Sequence, residues 1–246
     1  MTYGLLMGLS GNKGYAQLDY CMRVIAQKVR NAILDIFYPR LCIVCGLYGA
    51  WVCASCCRTL PLFFHSTSVH NREEIISHAL YSYDNSVVRM IVHTLKYEGV
   101  KELASFMAHA MSGFWKDNSS LSTLSSATAV FVPIPLHTKK LREREWNQAE
   151  LIASQLGRMV GISVESGALV RKKNTQPQSS LSREERIVNM KNAFFCAASS
   201  ISLKNKTVIL IDDVMTTGAT LNQAALALRL SGVTDIRGFV FARGNQ

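Results

Sequence analysis

The sequence lacks any apolar run of the roughly 18 residues that a membrane-spanning helix requires. It also lacks the start of a secretory signal, because no basic residue precedes the short apolar stretch at Leu5 and Leu6. Internal repeats are absent as well. These absences leave a globular protein without a membrane span, and we expect a cytoplasmic one.

Negative charge is scarce: 17 Asp and Glu stand against 27 Lys and Arg, a formal net charge of +10. Such an excess favours polyanionic partners, namely nucleic acid, nucleotides or pyrophosphate. A basic surface that is simply solvated explains the charge equally well, so charge alone does not choose among them. The 246 residues, of which 48% are hydrophobic, suffice for one sizeable core with a small appendage.

Cysteines are unevenly placed, with five of the seven between Cys42 and Cys57. Cys42 and Cys45 form one pair with two residues between them, Cys53 and Cys56 form another, and seven residues separate the pairs. Two such knuckles can bring four thiolates to one ion, which predicts a closed, structural Zn²⁺ site. Reduced buried cysteines or a redox pair remain alternatives. Cys57 could also replace Cys56 as the fourth ligand.

The most informative stretch is VILIDDVMTTGATL, residues 208–221. Its apolar run ends at Asp212 and Asp213, and a Thr- and Gly-containing loop leads into a helical pattern. This order predicts a buried parallel strand whose carboxyl end opens onto a helix N-terminus, where open α/β sheets bind ligands. We expect both carboxylates to face solvent and to accept hydrogen bonds from ribose hydroxyls. The following loop can surround a 5-phosphate with amides and hydroxyls, and its residues are Thr216, Thr217, Gly218, Ala219 and Thr220.

Two other interpretations of this stretch exist. An ordinary strand–turn–helix can end in two exposed Asp residues without binding anything. A receiver-type phosphoacceptor also uses an acidic pair beside a strand, but that pair lies near the start of its domain. Only one strand-like stretch follows Asp213, so the receiver interpretation is disfavoured.

The remaining patterns predict four segments. Residues 1–17 form a tail, 18–60 an amphipathic helix with the cysteine knuckles, 61–78 a linker, and 79–246 an α/β domain; Met22 is a possible alternative start. Asn147 is predicted to cap a helix that ends at Gly161. In the domain, strands are expected at 79–83, 129–135, 168–171, around 193–203, at 208–211 and at 235–242. Helices are expected at 85–96, 100–115, 148–160 and 220–230. A mobile lid is expected at 172–186.

Taken together, the motifs CIVCG…CASC, LKYEG, VPIPLHTKKLREREWNQAE, RKKNTQPQSSLSREERIVNMKNAF and VILIDDVMTTGATL resemble the ComF family. The similarity runs from Tyr38 to the C-terminus. It implies a type I phosphoribosyltransferase-like fold, an open and mostly parallel sheet flanked by helices, with a small N-terminal Cys₄ zinc ribbon. Glu145 and Trp146 depart from the family pattern, which usually has Gly and an aromatic residue, commonly Phe.

The resemblance implies that phosphoribosyl pyrophosphate binds with Mg²⁺. By position, Asp212 and Asp213 would be the catalytic pair that holds the ribose hydroxyls, and residues 216–220 would bind the 5-phosphate. Arg142 and Arg144 would suit the pyrophosphate-binding loop. Further cations and lid residues implied in the same way are Lys139, Lys140, Arg171, Lys172, Gln178 and Arg186.

Three hypotheses on function follow. The first is a phosphoribosyltransferase with an unknown acceptor, which the resemblance connects with natural competence or the use of external DNA. The second is a non-catalytic module that senses phosphoribosyl pyrophosphate and contacts single-stranded DNA or a DNA-uptake helicase through Arg40, Arg58 and the basic lid. The third is a zinc-ribbon scaffold whose sugar-phosphate site is vestigial.

Overall fold

A computed structural model describes residues 39–66, 75–171, 193–197, 203 and 205–244. They belong to two compact units, which meet in the sequence at Cys53 and Ala54. The tail and amphipathic helix predicted for residues 1–37 lie outside the described residues, as do the lid residues Lys172, Gln178 and Arg186.

The first unit is a tight loop in its described part. The Cys42 N–H donates to the Leu47 carbonyl at 2.8 Å, and the Ile43 N–H donates to the Trp51 carbonyl at 3.0 Å. These bonds fold residues 42–53 back on themselves, so that the cysteines at both ends of the loop approach each other.

The second unit alternates strands with helices in its described part. Its helices are α1 (Ala54–Arg58), α2 (Ser86–Tyr97), α3 (Leu103–Asp117), α4 (Ser119–Ser122), α5 (Thr138–Arg144), α6 (Gln148–Val160) and α7 (Ala219–Leu230). Its strands are β1 (His65–Ser66), β2 (Ser77–Ser82), β3 (Ala129–Pro133), β4 (Ser163–Val164), β5 (Leu169–Arg171), β6 (Phe194–Cys196), β7 (Thr207–Met215) and β8 (Ile236–Arg243).

Six of these strands form one sheet in the order β1-β2-β8-β7-β3-β4, and β5 pairs with β6 in a separate two-stranded sheet. All pairs of the large sheet are parallel except β1 with β2. Strands β3 and β7 are neighbours in the middle of the sheet. The chain goes from β3 to β4 on one side of them and from β7 to β8 on the other side. The crevice between β3 and β7, at their carboxyl ends, is therefore the place where an open α/β sheet binds ligands. The predicted architecture, a mostly parallel sheet flanked by helices, is confirmed.

Both faces of the sheet are buried. Successive side chains of a strand point to opposite faces, and along the central strands the side chains on both faces are apolar. On one face, Val208 and Leu210 belong to a buried cluster with Leu221 and Leu228 of α7. On the other face, aromatic rings pack edge to face, with Trp115 at 5.2 Å from Phe131 between ring centroids. Burial on both faces fixes β7 rigidly, so the residues at its end have little freedom.

Helix α6 begins and ends as the sequence predicts. The Asn147 side chain accepts the Ala149 N–H at 3.1 Å, and Gly161 closes the helix in the left-handed conformation at φ 74°. The amide of Asn147 also donates to the Ile134 carbonyl at 3.0 Å. This cap therefore attaches the start of α6 to the segment that follows β3, next to the ligand-binding edge.

Five short elements, α1, β1, α4, α5 and β4, fall where the sequence predicts none. Strand β1 and the start of β2 lie within residues 61–78, the predicted linker. Helix α4 lies in the Ser-rich stretch that was predicted to be a loop, and the Asn118 side chain caps it through the Ser120 N–H. Elements this short carry no periodicity, which is why the pattern does not reveal them. Within the described part of the chain, no helix combines the length and apolarity needed to cross a membrane.

Candidate functional site

The acidic pair lies at the carboxyl end of β7, and its two side chains point to opposite faces of the sheet. Asp212 is half-buried and lines a pocket that opens to solvent. Asp213 is buried, with 2% of its surface exposed. The expectation that both carboxylates face solvent is therefore wrong for Asp213.

Asp213 makes two close contacts within the protein. Its Oδ2 lies 2.7 Å from the Lys96 Nζ in an ion pair, and its Oδ1 accepts the Val214 N–H at 2.8 Å. Burial alone would lower the pKa of Lys96, but the charge of Asp213 and the bond between them outweigh it, so that pKa is raised. Lys96 stays protonated, and the pair forms a neutral unit beneath the site.

Asp212 has a different environment. Its Oδ1 accepts the backbone N–H of Asp213 at 2.9 Å. Burial and the neighbouring Asp213 charge raise the pKa of Asp212 to about 8, although Lys96 opposes the rise. At neutral pH much of Asp212 is therefore protonated, and a ligand that favours its carboxylate form has to displace that proton.

The loop after β7 shapes the rest of the pocket. Thr216, Gly218, Ala219 and Thr220 line it with Asp212. Thr217 does not line the pocket, but its hydroxyl accepts the Ala219 N–H at 3.3 Å. Gly218 caps α7 in the left-handed conformation at φ 78°, which an L side chain rarely adopts. The first turn of a 12-residue helix thus faces a concave site, the arrangement that binds phosphate groups.

The basic segment after β3 is helix α5, and its two predicted arginines have different surroundings. Arg142 is exposed. Arg144 places its guanidinium 4.8 Å from the ring centroid of Tyr97 and donates to the Gln148 side chain at 3.2 Å. Arg144 therefore joins α5 to the end of α2 and the start of α6.

Two further cations, Lys140 and Arg171, lie in this region. Lys140 is half-buried, and its pKa is lowered by burial and by the nearby positive charges of Arg171, Arg144 and Lys96. Burial lowers the pKa of Arg171, and the charge of Asp212 opposes that effect. Strand β5 holds Arg171 opposite Phe194 of β6, with the guanidinium 5.4 Å from that ring centroid. Of these two cations, Arg171 interacts with the charge of Asp212, whereas Lys140 lies near the positive charges of Arg171, Arg144 and Lys96.

Sequence reasoning missed Lys96, although a signal for it exists. Val88, Val92 and Leu95 are buried on one face of α2, and Lys96 follows Val92 by four residues, which places it on that same face. A lysine on an apolar helix face needs a partner charge, because burying an isolated ammonium group is costly. The sequence could have predicted a buried ion pair, but not that Asp213 completes it.

Glu145, which stands where the resembling family has glycine, ends α5 in the left-handed conformation at φ 66°. It is the one non-glycine residue with positive φ in the described part of the chain. Its N–H still donates to the Leu141 carbonyl at 2.7 Å, as a helix cap requires. The chain therefore forms a left-handed helix cap here without glycine, at a steric cost.

We expect Glu145→Gly to stabilise the second unit by about 0.5–1 kcal/mol, because relief of the left-handed strain exceeds the added backbone entropy of glycine. Thermal melting of the wild type and the variant measures the change. Gly161→Ala is the matched control, since it places a side chain on a helix cap of similar φ, 74°, and should shift the melting temperature downward. A lower melting temperature for Glu145→Gly would contradict the assigned strain.

The cysteine knuckles form a compact cluster. The Sγ atoms of Cys42, Cys45, Cys53 and Cys56 all lie within 4.8 Å of one another. Those of Cys45 and Cys53 are 3.7 Å apart, close to the edge of about 3.8 Å expected for a tetrahedron with Zn–S bonds of about 2.3 Å. The cluster contains Cys56, and Cys57 is not part of it.

The cluster also favours the thiolate form that metals bind. Burial acts to raise the pKa of the Cys42 thiol, but N–H groups of the loop, including that of Cys53 at 3.3 Å, lower it to about 6. Deprotonated sulfur is the species that coordinates metal. The four cysteines can therefore hold a metal such as zinc.

Comparisons with known proteins agree with this geometry. Residues 148–246 match the phosphoribosyl transferase domain family. The chain is 39% identical over 112 residues to Competence protein F of Haemophilus influenzae, covering 46% of this chain and 49% of that protein. It is 24% identical over 229 residues to DNA utilization protein YhgH of Salmonella typhi, covering 91% and 88%. It is 32% identical over 113 residues to Competence protein ComFC of Streptococcus pneumoniae, covering 46% and 47%. The matches thus span about half the length of the two competence proteins.

Proposed function

We propose that this chain, a homologue of competence and DNA utilization proteins with a phosphoribosyl transferase domain, binds phosphoribosyl pyrophosphate with Mg²⁺ at the carboxyl end of β7. The relationship to these proteins confirms the resemblance predicted from the sequence. The observation that carries the proposal is the pocket that joins half-buried Asp212 to the N-terminus of α7. A carboxylate next to a phosphate-binding turn matches the two ends of a ribose 5-phosphate group.

The proposed contacts follow from the geometry of the pocket. The 5-phosphate would accept hydrogen bonds from the turn at 216–220, and a ribose hydroxyl would donate to Asp212. Lys140 and Arg171, together with Arg142 and Arg144 as implied by the resemblance, would attract the pyrophosphate. Mg²⁺, when bound, would neutralise part of the pyrophosphate charge and be held mainly by its oxygens.

The reaction that this arrangement favours is displacement at C1 of the ribose. Positive charge builds on the sugar as the C1–oxygen bond breaks, and pyrophosphate leaves with that electron pair. Fixed cations stabilise the departing charge, while Asp212 and the phosphate turn hold the sugar in place for attack by an acceptor. We propose a phosphoribosyltransferase that acts in competence or in the use of external DNA.

A pyrophosphate-release screen tests this proposal. The protein is incubated with phosphoribosyl pyrophosphate, Mg²⁺ and purine, pyrimidine or pyridine acceptors, and released pyrophosphate is measured. Release that depends on an acceptor and is lost in Asp212→Asn supports transfer. Binding of phosphoribosyl pyrophosphate without release for any acceptor supports the alternative, a sensing module. If the wild type binds neither phosphoribosyl pyrophosphate nor ribose 5-phosphate, the proposed binding site is wrong.

The sensing alternative has one observation in its favour, the net charge of +10. In this form the protein would contact single-stranded DNA or a DNA-uptake helicase, and the sugar-phosphate site would regulate that contact. Affinity for single-stranded DNA would then fall steeply as salt rises, since each neutralised phosphate releases counterions. Binding that is indifferent to salt would exclude the nucleic-acid form.

We expect affinity for phosphoribosyl pyrophosphate to rise with pH up to about pH 8, where Asp212 loses its proton. A raised folded-state pKa means that the free protein holds this proton below that pH, and binding to the carboxylate must release it. The dissociation constant should fall by up to about tenfold per pH unit below pH 8 and level off above. Calorimetric titrations between pH 7 and 9, where the ligand's phosphates are already ionised, measure the slope. A flat profile over this range would contradict a role for the Asp212 carboxylate.

We further propose that the metal of the cysteine cluster is structural zinc and that the protein is cytoplasmic. We also retain the proposed division into a tail at 1–17, a ribbon segment at 18–60, a linker at 61–78 and a phosphoribosyltransferase-like domain at 79–246. The closed set of four thiolates supports zinc, since it leaves no open position for catalysis.

A further inference from the structure

We infer that Asn147 is a positioning residue that fixes the basic segment 135–146 at the edge of the sheet, so that Lys140 meets the pyrophosphate of the ligand. This inference rests on the proposed function of the pocket. Asn147 does not itself touch the ligand. It acts through Lys140, the half-buried lysine of the segment.

The Asn147 side chain joins two different parts of the chain. Its Oδ1 accepts the Ala149 N–H at 3.1 Å and caps α6, and its amide nitrogen donates to the Ile134 carbonyl at 3.0 Å. Asn147 is 9% exposed, so water has little access to replace either bond. The residues that flank the segment, Ile134 and Asn147, are therefore connected directly.

The segment has little packing of its own. Helix α5 makes up most of it and buries none of its residues. The parts of the chain on either side are anchored, since Ile134 belongs to the buried cluster and donates its N–H to the Ile211 carbonyl at 2.9 Å, while α6 buries Ala149. Arg144 adds a hydrogen bond to a side chain of α6 at 3.2 Å. The position of α5 is therefore determined at its ends, where Asn147 joins the two anchored parts.

Repulsion between like charges acts against this position. The pKa of Lys140 is lowered by burial first and then by the nearby cations Arg171, Arg144 and Lys96, while Glu143 opposes them. Without a bound anion, these charges favour a segment that turns outward to solvent. The two hydrogen bonds of Asn147 oppose that movement. They keep Lys140 beside Arg171 before the pyrophosphate arrives, so that binding does not have to order the segment.

Calorimetric titrations with pyrophosphate plus Mg²⁺ and, separately, with ribose 5-phosphate test the inference. Asn147→Ser retains a neutral helix cap, but the serine hydroxyl is too short to reach the Ile134 carbonyl. We expect affinity for pyrophosphate to fall by about five- to tenfold, the scale of one lost hydrogen bond. Affinity for ribose 5-phosphate should stay within about twofold, because the turn at 216–220 keeps its own contacts. Asn118→Ser, the same change at the cap of α4, is the matched control and should alter neither affinity.

A second pair of variants tests whether Asn147 acts through Lys140. Lys140→Met should itself weaken pyrophosphate binding, because a charge-assisted contact is lost. Adding Asn147→Ser to Lys140→Met should then cause a further loss of only about twofold or less, since the cation to be positioned is gone. Thermal melting without ligand shows whether each variant is folded, and Asn147→Ser should melt about 2–4 °C below the wild type. Asn147→Thr, which also caps a helix, replaces the serine variant if that variant does not fold.

The outcomes separate this inference from the proposed function. Unchanged affinity for pyrophosphate in Asn147→Ser, or an equal loss for both ligands, would overturn the positioning role. Losses that multiply fully in the double variant would also overturn it, because Asn147 would then act independently of Lys140. If the wild type binds neither pyrophosphate nor ribose 5-phosphate, the proposed function falls and the inference falls with it.

Discussion

Replacing Asp213 by Asn is expected to lower the free energy of unfolding of the second unit by about 3–5 kcal/mol, because Lys96 is left charged and buried without its partner. The pair that is lost joins the end of α2 to the end of β7 at 2.7 Å. An Asn side chain keeps the shape and can still accept the Val214 N–H. The loss in stability is therefore electrostatic rather than one of packing.

The same substitution at Asp212 should weaken ligand binding without lowering the stability of the protein. Asp212→Asn removes a carboxylate that its surroundings already disfavour, since its pKa is raised to about 8. Stability should rise, by an amount that grows as the pH increases from about 4 to about 8 and stays constant above that. Affinity for phosphoribosyl pyrophosphate should fall by about a hundredfold or more, in line with the loss of a charge-assisted hydrogen bond and the effect on the sugar's position.

Urea unfolding at pH 7 and calorimetric titration separate the two effects. Asp235→Asn provides the matched control, because Asp235 forms a more exposed pair with Arg237 at 3.2 Å, and such surface pairs contribute less than about 1 kcal/mol. Equal stability of the Asp213 and Asp235 variants would contradict the buried pair. Retained affinity in Asp212→Asn would remove Asp212 from the site.

This contrast shows where the sequence was informative and where it was not. The run that ends at Asp212 and Asp213 predicted a buried strand and a phosphate-binding turn from local residue types. It could not predict which acid faces the pocket, because that depends on which helix covers each face of β7. Lys96 lies more than a hundred residues earlier in the chain, and only the order of the strands brings it to Asp213.

The helix boundaries show the same difference between features that nearby residues determine and features that distant segments determine. Asn147 and Gly161 were predicted correctly because a cap is determined by the few residues around it. The sheet order and the edge position of β1 depend on pairing between distant segments, which local patterns do not contain. Glu145 is an intermediate case, since the departure was visible in the sequence, but its left-handed backbone was not.

The second large effect is expected at the cysteine cluster, where Cys45→Ser should reduce bound zinc from about one equivalent per chain to nearly none. A structural Cys₄ site derives an apparent 10–16 kcal/mol from metal binding near pH 7, and serine does not supply the thiolate that this requires. Residues 42–56 should become accessible to proteases, because the metal no longer joins the two ends of the loop. Metal analysis of the purified protein and limited proteolysis measure the two consequences.

Cys57→Ser is the control for this prediction, because it removes a neighbouring thiol that does not belong to the cluster. It should leave zinc content and protease resistance unchanged. If Cys57→Ser loses zinc and Cys56→Ser retains it, Cys57 rather than Cys56 is the fourth zinc ligand. Affinity for phosphoribosyl pyrophosphate should persist in Cys45→Ser, since the residues that line the pocket belong to β7, to α7 and to the loop between them. Its disappearance would mean that the metal supports the ligand site as well as the ribbon.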